Sequence, residues 1–201
     1  MTSETLLALA VFAFVTSVTP GPNNMMLLAS GVNFGFARTI PHMLGIGFGF
    51  TSMLAVVGFG LGTLLTMSPL VHGLFKVACA GYMLLLAWRL ARSGSMGGGD
   101  TAARPMRFHE AALFQWINPK AWAMALTAAA VYVNPDALVP SVIAVSLVFG
   151  AINLPTVSVW AAFGVALRGA LSAPSRLRAF NIVMAILLAV SVVPFVLPAS
   201  P

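Results

Sequence analysis

The sequence predicts an all-α polytopic membrane protein with six transmembrane helices, arranged as two inverted repeats of three. Of its 201 residues, 60% are hydrophobic and only 7% are charged, whereas a soluble domain carries about 25% charged residues. Apolar stretches of about 20 residues, the length that crosses a bilayer as a helix, recur along the chain. The interruptions and long stretches of the first half also recur about 100 residues later.

The same composition excludes other classes of protein. A soluble globular domain or a disordered chain needs far more polar surface than this sequence supplies. The single cysteine, Cys79, cannot form a disulfide within the chain, which excludes a disulfide-stapled fold. The formal net charge is +6, but the basic residues are spread thinly, so a lipid bilayer is expected as the partner and nucleic acid is not.

Six spans follow from the apolar stretches between charges. The third and fourth spans each contain one lysine, Lys76 and Lys120. The first span is too long for a cleavable signal peptide and has no basic segment before it. The predicted spans cover residues 4–34, 38–66, 70–91, 109–133, 138–167 and 174–198.

The spans are expected to form a single transmembrane domain over residues 1–201. Repeat 1 covers about 1–92, a Gly-rich loop covers 93–107, and repeat 2 covers 108–201. Cytoplasmic loops are enriched in Lys and Arg, and this rule predicts that both termini lie outside. Eight of the ten basic residues are then cytoplasmic: Arg38, Arg89, Arg92, Arg104, Arg107, Arg168, Arg176 and Arg178.

The first and fourth spans are interrupted at matching positions. The interrupting triplets are Pro20-Gly21-Pro22 and, about 99 residues later, Asn118-Pro119-Lys120. A proline lacks an N–H and clashes with the preceding helical turn, so each span is expected to break or bend. In lipid, a break is tolerated where protein or a watery cavity satisfies the freed backbone groups. A single break is an ordinary kink, but two matched breaks in inverted halves are typical of transporter binding sites.

Polar residues at the breaks are candidate substrate ligands. Asn23 and Asn24 begin the second half-helix, whose N-terminal partial positive charge suits a carboxylate. Lys120 lies deep in its span, where a charge costs about 2.5–3.5 kcal/mol or more; we expect it to attract a substrate carboxylate or to join a network with Asn23 or Asn24. Asn153 either ties helices together or contacts substrate. The candidate binding residues are Pro20, Gly21, Pro22, Asn23, Asn24, Asn118, Pro119, Lys120 and Asn153.

Titratable groups are scarce along the spans. All four carboxylates lie at span ends or in loops, although a proton-coupled carrier needs a titrating group along its path. His42 and Glu110 are the main candidates for proton coupling, followed by His109 and then Lys120. The alternative for His42 is an interfacial helix cap. Neither a catalytic constellation nor metal-ligand spacing is evident, so no cofactor and no metal are expected.

Glycines four residues apart favour close helix packing. One such face could also serve a homodimer, which the sequence does not single out. The pairs are Gly31 and Gly35, Gly45 and Gly49, and Gly58 and Gly62.

Three other functions compete with transport. An intramembrane enzyme requires a Ser–His, Asp–Asp or metal-ligand group, and none can be assembled within the spans. A non-transporting assembly subunit would explain the glycines but not the matched breaks. A channel would need a ring of charges or a filter-like run, and neither is visible. A transporter with a site formed by the two broken spans therefore remains the leading hypothesis.

These residues resemble a known family. VTPGPNN at 18–24, Gly31, Gly35 and GIGFG at 45–49 are similar to the N-terminal signature of the lysine exporter/homoserine–threonine exporter (LysE/RhtB) family. FQWINPKA at 114–121 resembles the fourth-segment motif of that family. The residues that fit the fifth segment are Asn153, Pro155, Trp160 and Gly164.

The resemblance covers nearly the whole chain. It implies a small exporter in the bacterial inner membrane that moves amino acids or their derivatives, is driven by the proton gradient and is often dimeric. The TPGPNN form looks most like members that export small neutral amino acids such as cysteine or O-acetylserine.

Overall fold

The computed structural model describes residues 1–61, 69–93 and 104–193, and within these ranges the fold is all-α, as predicted. A π-helical turn, Val57–Leu61, follows α3, and a 3-10 turn, Pro135–Ala137, precedes α7. The helices are α1 (Ser3–Val18), α2 (Pro22–Phe34), α3 (Phe36–Val56), α4 (Pro69–Ala91), α5 (Phe108–Gln115), α6 (Pro119–Tyr132), α7 (Leu138–Leu167) and α8 (Pro174–Val190).

Several helices are long and apolar enough to cross a bilayer. By length and composition these are Phe36–Leu61, Gly73–Ala91 and Pro135–Leu167. The pair α1 and α2, bent by 56° at the break between them, is long and apolar enough together to form one broken span or a re-entrant loop. The remaining predicted spans contain shorter described helices, since α5 and α6 have 8 and 14 residues and α8 has 17. A polytopic membrane protein is thus supported, while the six-span inverted repeat remains a prediction.

Parts of the predicted layout lie outside the described residues. These parts are the end of the second span, most of the polar loop at 93–107 and the end of the sixth span. Large apolar side chains cover the outer surfaces of the helices that are described. Phe48, Leu147 and Phe163 are each at least 60% exposed, as expected where lipid tails surround the helices.

Local sequence explains where the helices begin. Proline occupies the first position of α2, α6 and α8, where its missing N–H has no intrahelical partner to lose. The Thr2 side chain caps α1 by accepting from Thr5 N. Glu110 closes the first turn of α5 by accepting from the backbone N–H of Arg107 at 2.8 Å. The breaks thus begin new helices rather than deforming old ones.

The two halves repeat the same order of helices. In each half a first helix ends before a proline, and a second helix, a long third helix and a fourth helix follow. The packing partners also exchange between the halves: α1 packs on α7 and α5 packs on α3, while α3 contacts α7 and α4 contacts α8. This is the pattern that a two-fold relation between the halves would produce.

Glycines allow the closest helix contacts, as the sequence predicts. A Cβ atom at Gly31 would lie 2.2 Å from a backbone oxygen of α7, and one at Gly164 would lie 2.2 Å from a backbone oxygen of α2. On α3, Cβ atoms at Gly45 and Gly49 would lie 2.3 and 2.5 Å from the backbone of α5. Any side chain at these positions would separate the helices.

Other members of the glycine pairs differ. Gly35 ends α2 with a φ of 84°, a conformation that glycine adopts without steric cost. A Cβ at Gly58 would lie 3.0 Å from Val142 Cγ2, so this position packs less tightly. Gly62 lies outside the described residues.

A buried pair of amides joins α2 to α8 at one end of the molecule. Asn33 Nδ2 donates to Asn181 Oδ1 at 2.9 Å, and Asn181 Nδ2 donates to Asn33 Oδ1 at 3.2 Å. Asn181 Nδ2 also donates to the Ser93 carbonyl at 2.6 Å. The ends of α2 and α4 therefore meet the first half of α8.

Candidate functional site

The two breaks meet at one small cavity between the halves of the protein. Its volume is about 20 Å³, which is room for about one water molecule. The apolar ring of Phe50 from α3 closes one side. The cavity brings together six of the predicted binding residues: Gly21, Asn23, Asn24, Asn118, Lys120 and Asn153. Pro20, Pro22 and Pro119 shape the breaks beside it.

Asn24 satisfies the backbone where α1 ends. Its Nδ2 donates to the carbonyls of Ser17 and Thr19, each at 2.8 Å. The last carbonyls of a helix lack intrahelical partners and need donors from elsewhere. Asn24 is 2% exposed, so it acts as a buried brace across the break, and both contacts use its side-chain nitrogen.

The start of α2 lacks a capping side chain among the described residues. Its N-cap position is occupied by Gly21, which has no side chain to accept a hydrogen bond. Pro22 has no N–H, so the N–H groups of Asn23 and Asn24 are the first donors at this end. Uncapped N–H groups and the positive end of the helix dipole make a helix start suitable for a carboxylate.

Lys120 spans the two halves, with partners that differ from those expected. Its Nζ donates to the Thr19 carbonyl at 2.6 Å and to Thr19 Oγ1 at 2.9 Å, and it lies 3.5 Å from the Pro20 carbonyl. Lys120 and Asn24 share the Thr19 carbonyl, so the expected network includes Asn24 through this oxygen, whereas Asn23 pairs with Gln115 instead. Gly21 leaves room for this lysine, since a Cβ there would lie 2.6 Å from Lys120 Cδ.

The second break is closed mainly by its own backbone and by one cap. Asn118 is the N-cap of α6, and its Oδ1 accepts from Lys120 N at 3.1 Å. The Asn118 N–H donates to the Gln115 carbonyl at 3.2 Å, which continues the last turn of α5. Asn118 is 1% exposed. The structure therefore shows it as a buried helix cap, and its role in substrate binding stays a prediction.

Gln115 belongs to this site, although the sequence analysis did not select it. Asn23 Nδ2 donates to Gln115 Oε1 at 2.8 Å, and Gln115 Nε2 donates back to Asn23 Oδ1 at 3.2 Å. A further bond runs from Gln115 Nε2 to the Ala111 carbonyl at 2.9 Å. Gln115 could have been recognised from the sequence, because an amide inside an apolar span and four residues before Pro119 needs a polar partner near the break.

Asn153 reaches the first break from α7. Its Nδ2 donates to Ser17 Oγ at 2.9 Å, which adds Ser17 to the residues that sequence reasoning missed. Asn153 Oδ1 is buried and has no hydrogen-bond partner among the residues described. Asn153 therefore joins α7 to α1, as expected of a residue that ties helices together. Its side-chain oxygen remains as an acceptor beside the cavity.

The two proton-coupling candidates lie elsewhere. His42 is 1% exposed, and neither ring nitrogen has a partner in the described part of the chain, so it caps no helix end. Glu110 binds the guanidinium of Arg104, with one bond from Nη1 at 2.6 Å, at the start of α5. Neither residue lines the cavity.

Comparison with known proteins adds evidence from the whole chain. Residues 14–197 match the sequence model of a family described as LysE type translocator. The chain is similar to the cysteine/O-acetylserine efflux proteins of Escherichia coli (strain K12) and Shigella sonnei (strain Ss046). Each is 29% identical over 136 residues, which cover 68% of this chain and 69% of the relative. No solved structure matches.

Proposed function

We propose, since this chain belongs to the family of LysE type translocators, that it exports small neutral amino acids or their derivatives across the inner membrane. Translocators are not enzymes, so the enzyme alternative is set aside. The similar efflux proteins are named for cysteine and O-acetylserine, and we take these as the first substrates to test. The cavity at the two breaks is the proposed binding site.

The observation that carries this proposal is the uncapped start of α2. It lies at a polar cavity whose described lining contains no Asp or Glu. A substrate carboxylate would accept from the N–H groups of Asn23 and Asn24. Asn153 Oδ1, which is buried and unpartnered in the described structure, offers an acceptor to a donor group of the substrate. Among the described lining residues there is no carboxylate, which favours a neutral zwitterion over a cationic amino acid.

Binding requires the breaks to separate. A cavity of about 20 Å³ has room for one water molecule but not for an amino acid. We infer that this conformation is closed, and that α1–α2 moves against α5–α6 to admit substrate, as in alternating access between two repeats. The cross-links from Lys120 to Thr19 and from Asn23 to Gln115 are the contacts that this motion would break.

The membrane arrangement is part of the proposal. Six spans in two inverted repeats are supported by the mirrored helix order and by the exchanged packing partners. External termini are supported by the ends of α2 and α4 meeting α8, which puts Arg92 and Arg178 at one end of the protein. A homodimer remains a prediction from the family resemblance.

A proton gradient is the proposed driving force, because the sequence contains no nucleotide-binding loop. His42 and Glu110 stay predicted coupling candidates. A buried histidine without partners changes its charge only when a partner or water reaches it. Glu110 is already neutralised by Arg104.

The test is export of a panel of labelled amino acids from cells that overproduce the protein, with and without a protonophore. Cysteine and O-acetylserine should leave these cells faster than they leave cells with an empty vector, and the protonophore should remove the difference. Equal efflux for every amino acid would contradict the proposed function and would favour a non-transporting subunit. Efflux that resists the protonophore would contradict proton coupling alone.

A further inference from the structure

We propose that Lys120 carries the coupling proton, because its ammonium group and the substrate's ammonium group compete for one set of oxygens at the end of α1. This inference rests on the proposed function and names the group through which proton and substrate exclude each other. It selects a residue that the sequence analysis placed among the substrate ligands and last among the candidates for proton coupling.

The oxygens form a site for one ammonium group. Lys120 Nζ lies 2.6 Å from the Thr19 carbonyl, 2.9 Å from Thr19 Oγ1 and 3.5 Å from the Pro20 carbonyl. Three acceptors match the three donors of an ammonium group. Thr19 is the C-cap of α1, where the negative end of the helix dipole attracts a cation. We call these three atoms the oxygen cage.

An amino acid bound at the break would bring a second ammonium group to the oxygen cage. Only Gly21 separates the Pro20 carbonyl of the oxygen cage from Pro22, the first residue of α2. A substrate whose carboxylate accepts from the N–H groups of α2 therefore holds its ammonium group beside the end of α1. Two cations within a few ångströms of each other repel strongly away from bulk water. One of them must leave or lose its charge.

Lys120 is the group that can lose its charge. It is partly buried, and the described residues that line the cavity from α1, α2, α3 and α7 include no other titratable side chain. Lysine changes its protonation state readily when it is removed from water without a counter-charge. The neutral amine loses its charge-assisted bonds to the cage, and the substrate's ammonium group then takes its place.

Competition between the Lys120 proton and the substrate drives transport outward, as export requires. On the inner, more alkaline side, the proton leaves Nζ for water, the amine leaves the cage and substrate binds. On the outer, more acidic side, a proton from water returns to Nζ, and the re-formed ammonium group displaces the substrate. One proton enters for each substrate molecule that leaves, and no further reactant is needed.

The experiment measures substrate binding and proton release together. O-acetyl-L-serine is titrated into the purified full-length protein by calorimetry, at mildly acidic to neutral pH and in buffers of different ionisation enthalpy. Binding should strengthen about tenfold for each unit of rising pH while Lys120 is protonated, with about one proton released per substrate bound. 3-Acetoxypropionate, which lacks the ammonium group, should bind without this dependence.

Two variants of Lys120 and one control sharpen the test. Lys120→Met should bind O-acetylserine with no pH dependence and no proton release. Lys120→Arg keeps a permanent cation, because guanidinium does not deprotonate in proteins, and should bind no substrate at any of these pH values. Lys76→Met, at the lysine of another span, should behave as wild type. Thermal unfolding establishes that each variant is folded. If Lys120→Met does not fold, Lys120→Arg still tests the proposal.

The outcomes separate this inference from the proposed function. If wild-type protein binds and exports no amino acid, the proposed function is wrong. If wild type binds O-acetylserine without releasing a proton, or if Lys120→Met still releases one, the proposed function stands and Lys120 is not the proton carrier. Tight binding by Lys120→Arg would also overturn the inference.

Discussion

The two breaks share two features. Each is followed by a helix that begins with proline, and the second residue of that helix binds the other half of the protein. Pro22 and Pro119 occupy the first positions of α2 and α6. The next residues, Asn23 and Lys120, each bind at the end of the first helix of the other half, at Gln115 and Thr19 respectively. The breaks thus brace each other through equivalent positions, as expected of related halves.

The breaks differ in how their backbone groups are satisfied. The start of α6 is capped by Asn118, whereas the start of α2 has no capping side chain among the described residues. The end of α5 continues into backbone turns, but the end of α1 depends on Asn24 and Lys120. The α5–α6 break is therefore a self-contained support, and the α1–α2 break is the one open to an anion and a cation.

The largest effect is expected from straightening the open break. Pro20→Ala with Pro22→Ala restores two N–H groups and allows α1 and α2 to continue as one helix, in which each proline would cost about 3 kcal/mol relative to alanine. The variant should fold at least as stably as wild type, but its export should fall about a hundredfold. That loss corresponds to two hydrogen bonds to a carboxylate at about 1.5 kcal/mol each. Vesicle transport and thermal unfolding measure the two effects.

The control for this variant is Pro174→Ala, which removes the proline from the first position of α8, away from the cavity. It should leave export close to wild type. If the double variant also exports normally, the α1–α2 break is an ordinary kink and the difference between the two breaks has no functional meaning.

An intermediate effect is expected from Gly21→Ala. Gly21 has a φ of −172°, an extended conformation that alanine adopts, so the backbone should keep its path. The new methyl would lie 2.6 Å from Lys120 Cδ and push the ammonium group out of the oxygen cage. Concentrative export should fall about tenfold, the scale of one charge-assisted bond.

Gly81→Ala is the matched control, because a Cβ there would have no described atom within 4 Å beyond its chain neighbours and its own helix backbone. Helix propensity alone should stabilise that variant, by up to about 1 kcal/mol. Equal export by the two glycine variants would show that the position of Lys120 does not matter.

The smallest effect should come from the neutral brace between Asn23 and Gln115. Asn23→Ala and Gln115→Ala should each lower the free energy of unfolding by about 1–2 kcal/mol, because each removes both amide–amide hydrogen bonds between a buried and a partly buried side chain. The double variant should lose about 1 kcal/mol less than the sum, as expected for residues in direct contact. A second cycle pairing Gln115→Ala with Asn33→Ala, in the other amide cluster, should be additive. Coupling in both cycles, or in neither, would contradict a local brace.

Much of the fold was predictable because its causes are local. Hydropathy located the α7 span at 138–167, and α7 has these same bounds. Proline placed both breaks, since a missing N–H acts within one helical turn. Gly31 and Gly45 were recognised as packing positions from their spacing alone, because small residues on one helix face permit close approach whichever helix arrives.

The sequence by itself determined which residues stand at the breaks, and only the tertiary structure decided what each one binds. Lys120 contacts Thr19 across 101 positions, Asn23 contacts Gln115 across 92, and Asn153 contacts Ser17 across 136. No local pattern specifies such pairs. A buried amide or ammonium group must find a partner, but helix packing decides which acceptors lie within hydrogen-bond distance. That packing gave Lys120 the oxygens of α1 and left the start of α2 open.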